Sequence, residues 1–278
     1  MPLIKKIYKL LAHESNAPKT FGLFHFVSVS ITTVSTTLLC KKCKDTSEKT
    51  ERRIALWVWT TLVILESYKQ FVYLFEIEND ALILNYSWHG FPFQLCSAPL
   101  YILPFIAFLP SGKLREAFVS FFGTFVLLGG IAVCIYPGNV FVETLGINLH
   151  TMIWHGSQVF LGIYFNLRRF VNQKNIDLKK YFLSALPIFL VFVTAALVFN
   201  VGFYHVFTLS GNDSIFNMFF ISPYFECLFP VLDIIQAYTP YPVFLLSYII
   251  LLSALSYILL LAEYAVVKKN NSSKKLTS

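Results

Sequence analysis

The run FPFQLCSAPLYILPFIAFL, Phe91 to Leu109, decides how the whole chain is read. Its length and apolarity suit a bilayer crossing, which needs about 20 mostly apolar residues. Yet its first turns carry Gln94, Cys96 and Ser97, and Pro92, Pro99 and Pro104 break the regular backbone. Polar atoms and helix breakers at membrane depth are tolerated only where protein or a water-filled cavity satisfies them. The run therefore predicts an inward-facing membrane helix with one end lining a pocket.

The rest of the composition agrees. Of 278 residues, 56% are hydrophobic and only 13% charged, and the mean hydropathy is +0.63. A soluble domain carries roughly 25% charged residues, so an all-α integral membrane protein is expected. The 29 Phe and 15 Tyr suit lipid-facing surfaces and interfacial belts. A net charge of +7 would raise nucleic acid as a partner in a soluble chain. Here the basic residues sit in short loops between apolar spans, where they set topology and meet anionic headgroups. Membrane phospholipids are thus the expected partners, with no nucleic acid and no obvious protein partner.

Working outward, seven apolar spans can be drawn: Thr20–Cys40, Ile54–Phe75, Phe91–Leu109, Phe118–Tyr136, Leu149–Leu167, Tyr181–Phe203 and Pro242–Val267. The stretch Ile215 to Tyr238 is apolar too. Pro223, Glu226, Pro230 and Asp233 interrupt it, so it reads as a re-entrant or interfacial loop rather than an eighth span. Before the first span, residues 1–19 begin with an amphipathic pattern. Leu3, Ile4, Ile7, Leu10 and Leu11 share one helical face and Lys5, Lys6 and Lys9 the other, as in a helix lying in the headgroup plane. Residues 20–267 form the membrane domain and 268–278 a basic tail.

Charge orients the spans. Alternate connections hold Lys41, Lys42, Lys44, Lys49, Arg52 and Arg53; then Lys113 and Arg115; then Arg168, Arg169, Lys174, Lys179 and Lys180. Lys268, Lys269, Lys274 and Lys275 follow the last span. The opposite connections, Glu76–Gly90, Pro137–Asn148 and Tyr204–Tyr241, contain no Lys or Arg. The positive-inside rule then predicts seven spans, the N-terminus outside and the C-terminus cytoplasmic.

With that topology the polar residues fall into one layer. His25 in span one, Glu66 and Lys69 in span two, Gln94 and Cys96 in span three, His155 in span five and Asn200 in span six all lie in the outer half, with His150 at the interface. Each charge costs about 2.5–3.5 kcal/mol at a helix centre, which a Glu66–Lys69 pair, one turn apart on one face, would partly offset. A thiol in apolar surroundings is inert, whereas a neighbouring His or Lys activates it. A Cys–His pair can attack an ester carbonyl and hold the acyl group as a thioester. At this depth the available esters are the acyl linkages of phospholipids. The chemistry expected, if the layer is catalytic, is acyl transfer or lipid hydrolysis.

Two other readings stay open. The same layer could recognise the headgroup of a lipid or small amphiphile in a binder or transporter, or could merely specify helix packing. Other signatures are absent: the sequence has no HExxH, GxSxG or Walker loop. Cys40 and Cys43 form a CxxC without the partners of a zinc set. Gly129-Gly130 reads as a close helix-packing site. No haem, flavin or metal is expected, with His25, His150 and His155 the one metal-ligand set left open.

The run FPFQLCSAPLYILP after a span carrying Glu66, the GLFHF around His25, the WHG at Trp154–Gly156 and the NMFF from Asn217 together resemble the YwaF-type bacterial membrane family. That family is related to eukaryotic transmembrane protein 164, a seven-span protein proposed to be a phospholipid acyltransferase. The resemblance runs from about His25 to Ala262. It implies a location in the bacterial cytoplasmic membrane and marks Cys96 as the acyl-accepting position with His155 as its partner. Glu66 and Lys69 would orient and polarise the site, and His25, Gln94 and Asn217 would be supporting polar groups.

Overall fold

The computed structural model describes residues 2–173 and 176–276 and is almost entirely helical. Lys174 and the last residues of the basic tail lie outside the described residues. In chain order the helices are α1 (Pro2–Leu11), α2 (Leu23–Cys43), α3 (Glu48–Leu74), α4 (Ala98–Phe108), α5 (Lys113–Phe121), α6 (Leu127–Ile135), α7 (Leu145–Asn172), α8 (Leu178–Ser210), α9 (Leu232–Tyr238) and α10 (Tyr241–Leu276). A short hairpin, β1 (Phe75–Glu78) with β2 (Ala81–Leu84), follows α3 and pairs Phe75 with Leu84 and Glu78 with Ala81. Helices α5 and α6 form one rod joined by a π turn, Phe122–Val126.

Local chemistry sets several boundaries. Ser47 caps α3 by accepting from the Thr50 amide at 3.3 Å, with Glu48 and Glu51 in the first turn, where the helix dipole favours negative charge. Asp177 caps α8 in the same way through the Lys180 amide at 3.0 Å. That helix ends at Gly211, whose φ of 67° is the left-handed conformation that glycine tolerates best.

Among the described residues four helices are long and apolar enough to cross a membrane: Leu23–Cys43, Lys113–Ile135, Leu178–Ser210 and Tyr241–Lys269. Their large apolar side chains, among them Ile31, Val191, Val198, Ile250 and Ile258, face outward. Arg115, Glu51, Gln158, Asn166 and Asn200 are buried inside. This inversion of the soluble pattern fits a membrane protein. The decisive run of the sequence is shorter as a helix than its length implies. Phe91–Gln94 is non-helical, a 3-10 turn covers Leu95–Ser97, and only the 11 residues of α4 are α-helical. At 1.5 Å per residue that is about 16 Å, half a bilayer core. Pro92 lies in the non-helical part, while Pro99 occupies the first turn of α4, where no amide is needed. Between Gly211 and Tyr241 the longest helix is α9, with seven residues.

Contacts join the chain at two ends. At one, Glu51 meets Arg115, Arg168 and Arg169, and Glu116 pairs with Arg169 at 2.8 Å. Arg52 donates to the carbonyls of Ala107 and Leu109, at the C-terminal end of α4. At the other end, Lys5 reaches Asp80 at the hairpin tip at 2.7 Å, Glu14 bridges Thr144, and Tyr68 donates to the Leu11 carbonyl at 2.9 Å. Gln94 there holds the loop before α9. Between the ends the core is aromatic. Phe125 stacks on Phe189 at 4.1 Å, and Trp88 sits among Tyr86, Phe203 and Phe207 at about 5 Å from each.

Candidate functional site

The last turns of α3, the first turns of α7 and the segment before α4 converge on one polar layer. On α3, Glu66, Lys69 and Gln70 share a face by their three- and four-residue spacing. Lys69 Nζ lies 2.8 Å from Glu66 Oε1, and Gln70 donates to the same oxygen at 2.6 Å and to the Gly90 carbonyl at 2.9 Å. Tyr86 completes the set by donating to Gln70 Oε1 at 2.6 Å. From α7, His150 Nε2 stands 3.7 Å from Glu66 Oε2, too far for a hydrogen bond. Its ring stacks on Trp154 with centroids 5.0 Å apart.

Cys96 is docked onto α7 through its backbone. Its carbonyl oxygen accepts from the Trp154 indole N–H at 2.6 Å and from Gln158 Nε2 at 2.5 Å. His155 lies between these two donors in sequence. Its Nδ1 is 2.7 Å from the Thr151 carbonyl; since a carbonyl only accepts, Nδ1 carries the proton. In the neutral ring Nε2 is then a lone-pair acceptor, and it is buried without a hydrogen-bond partner. The Cys96 thiol is free and half-buried, and no hydrogen bond joins it to His155 Nε2.

His155 Nε2 has company. Glu66 Oε2, His150 Nε2 and Gln158 Oε1 are also buried and unpartnered. A buried polar atom left unsatisfied costs about 1–3 kcal/mol. Four such atoms on α3 and α7 give the layer the capacity to accept from or donate to a bound polar group. The layer is closed from behind by α6, which approaches almost backbone to backbone. A Cβ on Gly130 would come 2.8 Å from Gln158 Cβ and 3.1 Å from the His155 carbonyl oxygen. Gly129, the other half of the sequence pair, has open space instead.

Gln94 and Asn217 serve a neighbouring device. Phe219 and Phe220 adopt left-handed backbone with φ of 58° and 55°, a conformation that costs bulky residues about 1–3 kcal/mol. Gln94 holds this loop from one side, accepting from the Phe219 amide at 2.6 Å and donating to the Asn217 carbonyl at 2.9 Å. Asn200 holds it from α8, accepting from the Met218 amide and donating to its carbonyl at 2.7 and 2.9 Å. The Asn217 side chain bonds within the loop, to Ser222 and Glu226. Gln94 is thus two residues from Cys96 and one hydrogen bond from the loop, whereas Asn217 points away from the thiol's layer.

His25 stands apart. Its Nδ1 accepts from the Phe21 amide at 3.1 Å, so its Nε2 donates to the Cys134 carbonyl at 2.9 Å. Both nitrogens are used, pinning the start of α2 to the end of α6 among Phe21, Phe26 and Phe141. Among the described residues no three His, Cys, Asp or Glu side chains group to hold a metal ion. Two surface clefts, of about 490 and 310 Å³, lie between Tyr204 and Tyr238 and touch none of Cys96, His155, Glu66 or Lys69.

Sequence reasoning missed Trp154 and Gln158 as the residues that hold Cys96, although their four-residue spacing on α7 flanks His155. It also treated Arg115, Arg168 and Arg169 as loop charges, whereas they are buried around Glu51. No protein-family model, curated protein or solved structure matches this chain.

Proposed function

We propose that this chain is a seven-span membrane protein, N-terminus outside and C-terminus cytoplasmic, that transfers or hydrolyses phospholipid acyl chains. Support for the topology comes from the two ends. The Lys- and Arg-bearing connections meet one another around Glu51, and two of the connections without Lys or Arg meet where Trp88 packs on Phe207 and Phe216. Segments that share a membrane face are free to do this. In this reading α4 and the turns before it make a short, broken crossing, as expected where backbone lines a site.

The observation that carries the chemical reading is His155. A ring with Nδ1–H fixed to a carbonyl and Nε2 buried, free and beside the docked Cys96 segment has the tautomer a general base needs. His155 Nε2 would take the proton from Cys96 Sγ, and the thiolate would attack the ester carbonyl. The S–C bond forms, the ester C–O bond breaks, and the departing lysolipid oxygen takes the proton from His155. A second lysolipid hydroxyl, or water, then cleaves the thioester. Catalytic hydrogen bonds often close only around substrate, so the open Cys96–His155 contact fits a resting site. Lys69, held by Glu66, would face the phosphate-bearing end of the lipid.

The test uses purified protein in phospholipid nanodiscs supplied with isotope-labelled lysolipid and read by mass spectrometry. Labelled diacyl lipid or free fatty acid that disappears in Cys96→Ala supports the reading. A binder or transporter is the second reading, favoured by the charged Glu66–Lys69–His150 group and its unpartnered atoms. It is distinguished by binding that survives Cys96→Ser and is lost in Glu66→Gln.

A further inference from the structure

The other end of α7 meets a carboxyl group that nothing above uses. Glu263 on α10 accepts at Oε2 from Asn166 Nδ2 at 2.7 Å, while its Oε1 is buried without a partner. Asn166 is fully buried. It also donates to the Gly123 carbonyl at 2.6 Å and accepts from the Tyr181 hydroxyl at 2.9 Å. Gly123 lies in the π turn, where a Cβ would come 2.1 Å from Asn166 Oδ1. Four elements, α7, α8, α10 and the π turn, thus close around one carboxyl.

The buried carboxylates Glu51 and Glu66 are matched by cations, Glu51 by three guanidiniums and Glu66 by Lys69, whereas Glu263 is half-buried with one oxygen fully enclosed. Among the described residues no Lys, Arg or His makes a salt bridge to Glu263. The titratable groups facing it are Tyr181 from α8 and Cys40 from α2, both uncharged when protonated. Arg169 and Glu116 lie beyond Tyr181 and are already paired with each other. An ionised carboxylate in such a place bears a desolvation cost of several kcal/mol with only one amide donor to offset it. A proton on Oε1 removes the charge and leaves the Asn166 bond to Oε2 intact. π turns recur at functional sites, and ionisable groups within membrane helices commonly bind or relay protons.

We propose that Glu263 is a proton-binding site, carrying one proton at neutral pH and releasing it to water as the pH rises. Its partner Asn166 lies about 16 Å from His155 along α7, counting 11 residues at 1.5 Å each, and the site is independent of the acyl chemistry. Loss of the proton would leave a bare charge between α7 and α10, so the packing of these helices becomes responsive to pH.

Difference infrared spectroscopy of the full chain, labelled with carbon-13 glutamate, reads this directly. The expected result is a protonated-carboxyl band at neutral pH that shifts with the label, fades on raising the pH and is missing in Glu263→Gln. Asn166→Leu, which removes the donor that favours the ionised form, should move the fading to higher pH. A wild-type spectrum without the labelled band, or a band that persists in Glu263→Gln or ignores Asn166→Leu, would overturn the proposal. The labelled wild-type titration needs no variant to fold.

Discussion

Trp154 donates its indole N–H to the carbonyl oxygen of Cys96 at 2.6 Å, and it does so from the residue next to His155. With Gln158 it makes a two-donor clamp that registers the segment before α4 against α7. The Cys96 segment is therefore placed against α7 by backbone hydrogen bonding rather than by a bond from its thiol.

Trp154→Phe and Gln158→Leu each leave one donor on that carbonyl and should each cost about 1 kcal/mol of stability. The double variant orphans a buried carbonyl and should lose more than the sum, by about a further 1–3 kcal/mol. Thermal unfolding of the four proteins in one detergent checks this, and Cys96 alkylation should be fastest in the double variant. Strict additivity would show that the clamp does not act as a unit.

Glu51 is the keystone of the basic end. Glu51→Ala leaves the guanidiniums of Arg115, Arg168 and Arg169 buried around an absent partner and should cost about 3–5 kcal/mol. Burial pushes this carboxyl up, but Arg169, Arg168 and Arg115 outweigh it and hold it at about 2, against 4.5 in the unfolded chain. The folded value is the lower one, so the stabilisation is complete above pH 4.5 and drains away as the pH falls toward 2. Melting temperatures followed through that window should fall in the wild type and lose part of that slope in Glu51→Gln.

These residues show how much was legible. The membrane helices announce themselves through long apolar runs, and the charge alternation groups the connections that meet in space. The Glu66–Lys69 pair follows from helical spacing alone. What could not be read is whatever depends on helix neighbours. That Arg115, Arg168 and Arg169 converge on Glu51, that His25 is occupied at the α2–α6 contact, and that α7 presents Trp154 and Gln158 to Cys96 are all relations between distant segments. The shortness of α4 agrees with Pro92 and Pro99 at its start, whereas nothing in the sequence of Phe122–Val126 announces the π turn.

Gln94 and Asn200 hold a loop whose backbone is strained at Phe219 and Phe220. Gln94→Ala or Asn200→Ala should speed amide hydrogen exchange across residues 217–222 while leaving α10 unchanged. Unaltered exchange in both variants would mean that the loop holds its shape without them.

Two glycines separate packing from propensity. Gly123→Ala would force a Cβ into Asn166 and should destabilise the protein by about 1–3 kcal/mol, with partial rescue by Asn166→Ser. Gly129→Ala meets open space inside α6 and should be neutral or stabilise by up to about 1 kcal/mol. Thermal unfolding of the three variants tests both statements.

The central claim is that Cys96 carries an acyl group with His155 as its base. Rapid-quench mass spectrometry of the intact protein, mixed with phospholipid, tests it most directly. The account expects wild-type protein to gain the mass of one acyl chain, sensitive to hydroxylamine, with slower gain in His155→Gln and none in Cys96→Ala. An unmodified wild-type protein under conditions of lipid turnover, or an adduct that persists in Cys96→Ala, would contradict it.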